Sequence, residues 1–222
     1  MNRLYVQYVV GVLAVWCFFA PGAYAATIIG VPFTSQAPFQ SWKLPYEEFC
    51  EEASVVMAAH FLWRAPITPA IADLEMKLIK TYEELRFGYY EDTSAEETAL
   101  VLRELYGFSS QGGSTSGGKN ITVREVARIS DIKNELGAGR IILAPVAGRI
   151  LQNPYFTPPG PTYHMVVIYG FDDSRGVFIT HDPGTRRGNG FVYPQARLFN
   201  AIHDLNGGDV LNGKKMVIVV AR

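Results

Sequence analysis

A cysteine nucleophile needs three things: a thiol that gives up its proton, a base to take it, and donors for the oxyanion formed on attack. Cys50 answers the first by position. It opens a helical pattern that starts near Phe49. In the first turns of a helix, free amide N–H groups and the positive dipole end favour a thiolate. Glu47, Glu48, Glu51 and Glu52 flank it and push the opposite way. At helical spacing these acids are expected to point to other faces than Cys50 and to support the helix start.

For the base there are four histidines. His60 follows Cys50 by ten residues on the same stripe, about 15 Å along the helix axis, too far to serve it. It reads as a satisfied core or interface histidine, and His203, in a polar stretch, as a surface residue. His164 opens an apolar strand, and His181 closes the next, just before Asp182-Pro183-Gly184. If the two strands form a hairpin over residues 172–176, His164 and Asp182 meet at its open end. There Asp182 can orient the imidazole. Strand alternation sends His181 to the opposite face.

Several elements must position these groups. Thr27 to Phe33 is extended, and 34–48 is a loop. Cys50, Ala53, Val56, Met57, His60 and Phe61 form one stripe of a first helix, ended by Pro66 and Pro69. Pro69 to Phe87 is a second helix, with Ile71, Leu74, Leu78 and Tyr82 on one face. Ser94 to Tyr106 is a third, with a capping box from Ser94 and Glu97 and a stop at Gly107. Ser109 to Asn120 is a Gly/Ser-rich surface loop. Val123 to Leu136 reads as a fourth helix. The period then changes to strands: Arg140 to Ala147, Tyr163 to Phe171, Val177 to His181, Gly190 to Tyr193 and Met216 to Ala221, with a small helix over Leu198 to Leu205. Helices first and an antiparallel sheet after them predict an α+β fold.

Composition bounds the function. The chain has 222 residues, 48% hydrophobic and 18% charged, with a formal charge of −1 and two cysteines. Charge near zero argues against a nucleic-acid partner. Two cysteines are too few for a disulfide scaffold. Residues 1–25 read as a secretory signal peptide: Arg3, an uncharged run from Tyr8 to Ala20, the Pro21-Gly22 break, then Ala23-Tyr24-Ala25 as cleavage site. The run is short for a membrane span. Cleavage removes Cys17 and leaves 197 residues, 26–222, as one domain of charge −2. Cys50 is then the sole cysteine, either inert or reactive.

The stretch VPFTSQAPF…PYEEFCEEASVVMAAHF, followed downstream by YHMVVIYGFDD…VFITHDPGT, resembles the C39-like (C39_2-type) papain-like cysteine peptidase family. The resemblance implies a papain-like fold and a peptide or protein substrate, with no cofactor. It implies Cys50 as nucleophile, His164 as general base and then acid, and Asp182 as its orienter. Gln36 would donate its amide, with the Cys50 N–H, to the oxyanion. Gln40 is a rival, but Gln36 sits in the matching VPFTSQ context. Many related domains carry Cys-Gly-Pro where this chain has Cys50-Glu51-Glu52. No GxxxxGK[ST] phosphate loop is present, which argues against a transporter-linked export protease. The leading expectation is an exported cysteine hydrolase, its substrate protein or cell-wall peptide. The alternatives are an inactive peptide-binding or scaffold domain on the same fold, and a metal site from Cys50, His164, His181 and Asp182, which alternation should split. The loop 153–161 and the loop 109–120 are expected to border the groove. Arg186 and Arg187 are either solvated turn residues or a preference for acidic substrate.

Overall fold

A computed structural model describes residues 26–109 and 120–222. The signal-peptide expectation for residues 1–25 and most of the 109–120 loop therefore lie outside the described residues.

The sheet has seven strands, all paired antiparallel. They are β1 (Ala26–Ile28), β2 (Asn120–Glu125), β3 (Ile141–Val146), β4 (His164–Asp172), β5 (Val177–His181), β6 (Phe191–Pro194) and β7 (Met216–Ala221). The order is β2-β7-β3-β4-β5-β6, with β1 paired to β4. β3 pairs with β4 over residues 164–168, and β1 pairs with residues 170–172. Gly170 allows that second pairing, since a Cβ there would lie 2.6 Å from the Thr27 carbonyl oxygen. The β4–β5 register shifts between Ile168 and Gly170, a bulge at Tyr169 of the kind that bends a strand.

Helices cover both faces, which is why these strands are near-continuous apolar runs. Ile141, Leu143, Met165, Val167, Ile218 and Val220 join one core with α1 (Cys50–Trp63), α2 (Pro69–Arg86) and α3 (Ala95–Leu100). Their neighbours Ile142, Ala144, Val166, Ile168, Val217 and Val219 join a second core. That core also takes in residues of α4 (Ile129–Gly137), α5 (Gly148–Leu151) and α6 (Gln195–Ala201). Each large apolar side chain buried this way contributes about 2 kcal/mol. The α+β reading holds.

α1 is buried from Cys50 to Leu62, and its buried residues include the polar Glu51, Glu52, Ser54 and His60 beside the apolar ones. Ser94 caps α3 through the predicted box with Glu97. The third helix is α only to Leu100, then continues as a π turn over Val101–Leu105.

Two expectations change. Val123 to Leu136 is not one helix. Its first residues complete β2, which pairs with β7 over six residues, and α4 starts only at Ile129. Ile121 and Val123 alternate on the face that packs against α3, so burial along the edge of the sheet outweighs helical spacing. In α2, the Ile71, Leu74 and Leu78 stripe is exposed, by 37, 70 and 52%. The buried positions are Ala72, Met76, Ile79 and Glu83. This face carries a small residue, Ala72, and packs against α1.

Candidate active site

Cys50 is the first residue of α1, after a short turn over Tyr46–Glu48. Among the described residues its N–H has no hydrogen-bond partner, as is usual for the first amides of a helix. The side chain is 6% exposed. It lines a cavity of about 530 Å³ together with Gln36, Trp42, Asp92, Tyr155, Phe156, His164, Arg186 and Arg187.

The acidic flank does not turn away from the thiol. Glu51 and Glu52 are both buried, and Cys50 Sγ donates to Glu51 Oε2 at 2.8 Å. Burial first, then the Glu51 charge and hydrogen bond, push the Cys50 thiol up. The opposition between helix start and acids resolves in favour of the protonated thiol. Glu47 is exposed and Glu48 half-buried at the rim of the cavity.

His164 and Asp182 meet as the hairpin geometry predicts. β5 ends at His181, β4 begins at His164, and His164 Nε2 lies 2.8 Å from Asp182 Oδ1. Nδ1 is then the ring nitrogen left for the cavity. Cys50 and His164 make no direct hydrogen bond in this conformation. Phe156 stands edge-on to the imidazole, ring centres 5.3 Å apart.

Asp182 is fully buried and takes four donors. Gly184 N–H reaches Oδ1 at 3.0 Å beside His164, and Asn153 Nδ2 reaches Oδ2 at 3.0 Å beside the Tyr193 hydroxyl. Burial alone would raise its carboxyl. The attraction of His164 and the bonds from His164, Tyr193 and Asn153 outweigh it and hold the group below the ordinary aspartate range. Asn153 and Tyr193 carry no spacing signal that marks them in the sequence: Asn153 lies in a Pro-rich loop and Tyr193 in a short strand. Gly184 packs so close that a Cβ would lie 2.7 Å from His164 Cε1.

Gln36 shares the cavity with Cys50 and is 4% exposed. Its Nε2 donates to the Tyr46 and Glu47 carbonyls, both at 2.9 Å, and Oε1 is buried without a partner. Both amide hydrogens are engaged, so one must be released to reach an oxyanion. Gln40, the rival, lines a neighbouring cavity instead.

The other histidines are structural. His60 bonds the Pro66 carbonyl and Glu75. His181 packs on Tyr169 and contacts the Val31 carbonyl, away from Asp182. Burial pushes it below the ordinary histidine range. His203 is half-buried against the Gly213 carbonyl. Among the described residues no group of three or more His, Cys, Asp or Glu is placed to hold a metal ion. The loop 153–161 does border the cavity, through Tyr155, Phe156, Thr157 and Pro161. Arg186 and Arg187 line it as well. Among the described residues neither pairs with a carboxylate: Arg186 lies over Trp42 and Arg187 over Tyr155.

A cysteine at the start of a buried helix, sharing a cavity with a strand histidine held by a buried aspartate, on this α+β scaffold, defines the papain-like cysteine peptidase fold. Residues 28–202 match the Peptidase_C39 like family, and the chain belongs to that family. No curated protein matches it. Among solved structures it is similar to one described as a C39-like peptidase from Bacillus anthracis. Identity is 15% and the TM-score 0.56, over 89% of this chain and 98% of that one.

Proposed function

We propose that the protein is an exported cysteine peptidase. The observation that carries this is the His164–Asp182 bond at the cavity that holds Cys50. Asp182 fixes the imidazole with Nε2 toward itself, leaving Nδ1 to take the thiol proton. The thiolate attacks the carbonyl carbon of the scissile amide, and the Cys50 N–H receives the oxyanion. Gln36 adds its amide once one of its two carbonyl bonds is released. Each such donor is worth about 3 kcal/mol of transition-state stabilisation. His164 returns the proton to the leaving amine, then activates water to hydrolyse the thioester.

The substrate proposed is a peptide or protein, with cell-wall peptide a member of that class. The lining supports a peptide of mixed charge: Arg186 and Arg187 line the same cavity as Glu47, Glu48 and Asp92. Export is proposed from the first 25 residues. Among the described residues no helix is long and apolar enough to cross a membrane.

One observation favours a second reading, an inactive peptide-binding domain: the thiol bonds Glu51 and not His164. Incubating wild-type and Cys50→Ala chains with peptide and cell-wall fragment libraries separates the two. Cleavage by wild type, with retention of the same uncleaved peptides by Cys50→Ala, supports the peptidase. Retention by both without cleavage supports the binding domain.

A further inference from the structure

We propose that Glu51 is a catalytic residue, a protonated carboxyl held against Cys50 Sγ whose proton decides whether the thiolate can form. This rests on the cysteine-hydrolase reading of the same site.

Neighbouring positions of a helix point about 100° apart, yet the Glu51 side chain folds back onto the residue before it, 2.8 Å from Sγ. It is 1% exposed, and Oε1 is buried with no partner. The ionisable groups that act on it are Cys50 and Glu52 on α1, Glu83 on α2, and Asp92 ahead of α3. The Tyr163 hydroxyl, ahead of β4, also interacts electrostatically with it. None of these is a cation, and among the described residues Glu51 takes part in no salt bridge. A buried carboxyl among carboxyls and a thiol, with no counter-charge, keeps its proton. Burial and the Asp92 charge raise it accordingly.

Such a carboxyl has two opposite effects. Ionised, it sets a negative charge beside Sγ and repels a thiolate. Protonated, its O–H can donate to one. In the resting site the thiol donates to Glu51 Oε2. On activation the Sγ proton passes to the His164 ring, giving thiolate and imidazolium. Glu51 keeps its own proton and turns it toward sulfur, so no net charge enters the pocket. The S–C bond then forms as the carbonyl electron pair moves to oxygen. The C–N bond breaks as His164 returns its proton to nitrogen. Glu51 is neutral throughout.

The test reads Cys50 alkylation by iodoacetamide against pH, by mass, on the full chain. Glu51→Gln keeps a neutral donor that cannot ionise, and Glu51→Met removes both charge and donor. Expected is a Glu51→Gln midpoint within about half a pH unit of wild type, since both hold a neutral donor beside sulfur, and a Glu51→Met midpoint at least about one pH unit higher, a tenfold loss of thiolate at fixed pH. Glu51→Met should fall above Glu51→Gln. A Glu51→Gln midpoint at least about one pH unit below wild type, as an ionised Glu51 would give, or a Glu51→Met midpoint matching wild type, overturns the proposal. A purely structural role would change the melting temperature and not the midpoint. A check on the unmutated chain is the infrared difference spectrum of Cys50 alkylation near neutral pH. A shifted protonated-carboxyl band is expected, and carboxylate bands alone overturn the proposal. Peptide cleavage is scored separately. A midpoint that moves in a chain that cleaves nothing refutes the hydrolase reading and leaves Glu51 in place.

Discussion

Asp182 shows how much of a reactive site is spent on holding one group still. Its four donors come from the hairpin end, the 153–161 loop and β6. A hydrogen bond to a charged group contributes about 1.5–3 kcal/mol. Tyr193→Phe should therefore destabilise the fold by about 2 kcal/mol in urea titration and lower peptide cleavage several-fold, with binding of uncleaved peptide by the Cys50→Ala background unchanged. Asp182→Asn should cost far more activity, about 10⁴-fold where an aspartate sets the imidazole tautomer. An equal, small loss in both variants would show that Asp182 does not orient His164. Gly184 tests the same ring from the other side. Gly184→Ala should push the imidazole off Asp182 and lower cleavage at least tenfold, with the melting temperature little changed. Unaltered cleavage would mean that the ring has room to move.

At the scale of elements, α1 and α2 carry buried acids between them. Glu52 and Glu83 are both buried, and burial raises both carboxyls, Glu83 to about 8. The folded state thus holds protons that the unfolded chain has released. That contribution is fully present below the ordinary carboxylate value of about 4.5 and is lost as pH rises through the folded value. Stability in urea should fall between mildly acid conditions and about pH 8, and Glu83→Gln should flatten the slope. A stability that rises over the same range would contradict carboxyls that keep their protons in the folded state. β1 meets β4 where only a glycine fits. Gly170→Ala places a Cβ against the Thr27 carbonyl and should cost about 1–3 kcal/mol. A smaller loss in the denaturation midpoint would mean that β1 detaches at little cost.

Elements also show why some patterns were legible and others were not. The Ser94 box and the β4–β5 hairpin depend on residues within a few positions, and both formed where spacing placed them. The residues after Val123 have helical spacing but lie beside β7, which offers six partners. The α2 stripe of Ile71, Leu74 and Leu78 is amphipathic, but the layer beneath meets the other face. In each case a distant neighbour outweighed the local period.

At the scale of the molecule, two cores lie on the two faces of one sheet, and the site sits at an end where three separate stretches meet: the start of α1, the start of β4 and the turn after β5. If export is as proposed, the chain should leave a bacterial host cut after Ala25, so that it begins with the first residue of β1. N-terminal sequencing of the secreted protein checks this, and an uncut, membrane-retained chain would refute it.

The sequence alone determined the class and pointed to the three residues proposed to act. Cys50, His164 and Asp182 each sit at the end of a strong local element, and ends are readable from short-range period. It also carried the α+β order, since runs of helix and strand are local. Only the tertiary structure decided the chemistry around the sulfur. The fold buries Glu51 against Cys50, occupies both amide hydrogens of Gln36, and brings Asn153 and Tyr193 to Asp182. Those contacts depend on which face of α1 is enclosed and on how far the 153–161 loop reaches. The partners lie only 1 to 29 positions apart along the chain, but which side chains meet is set by how the segments pack, and no regular period encodes that.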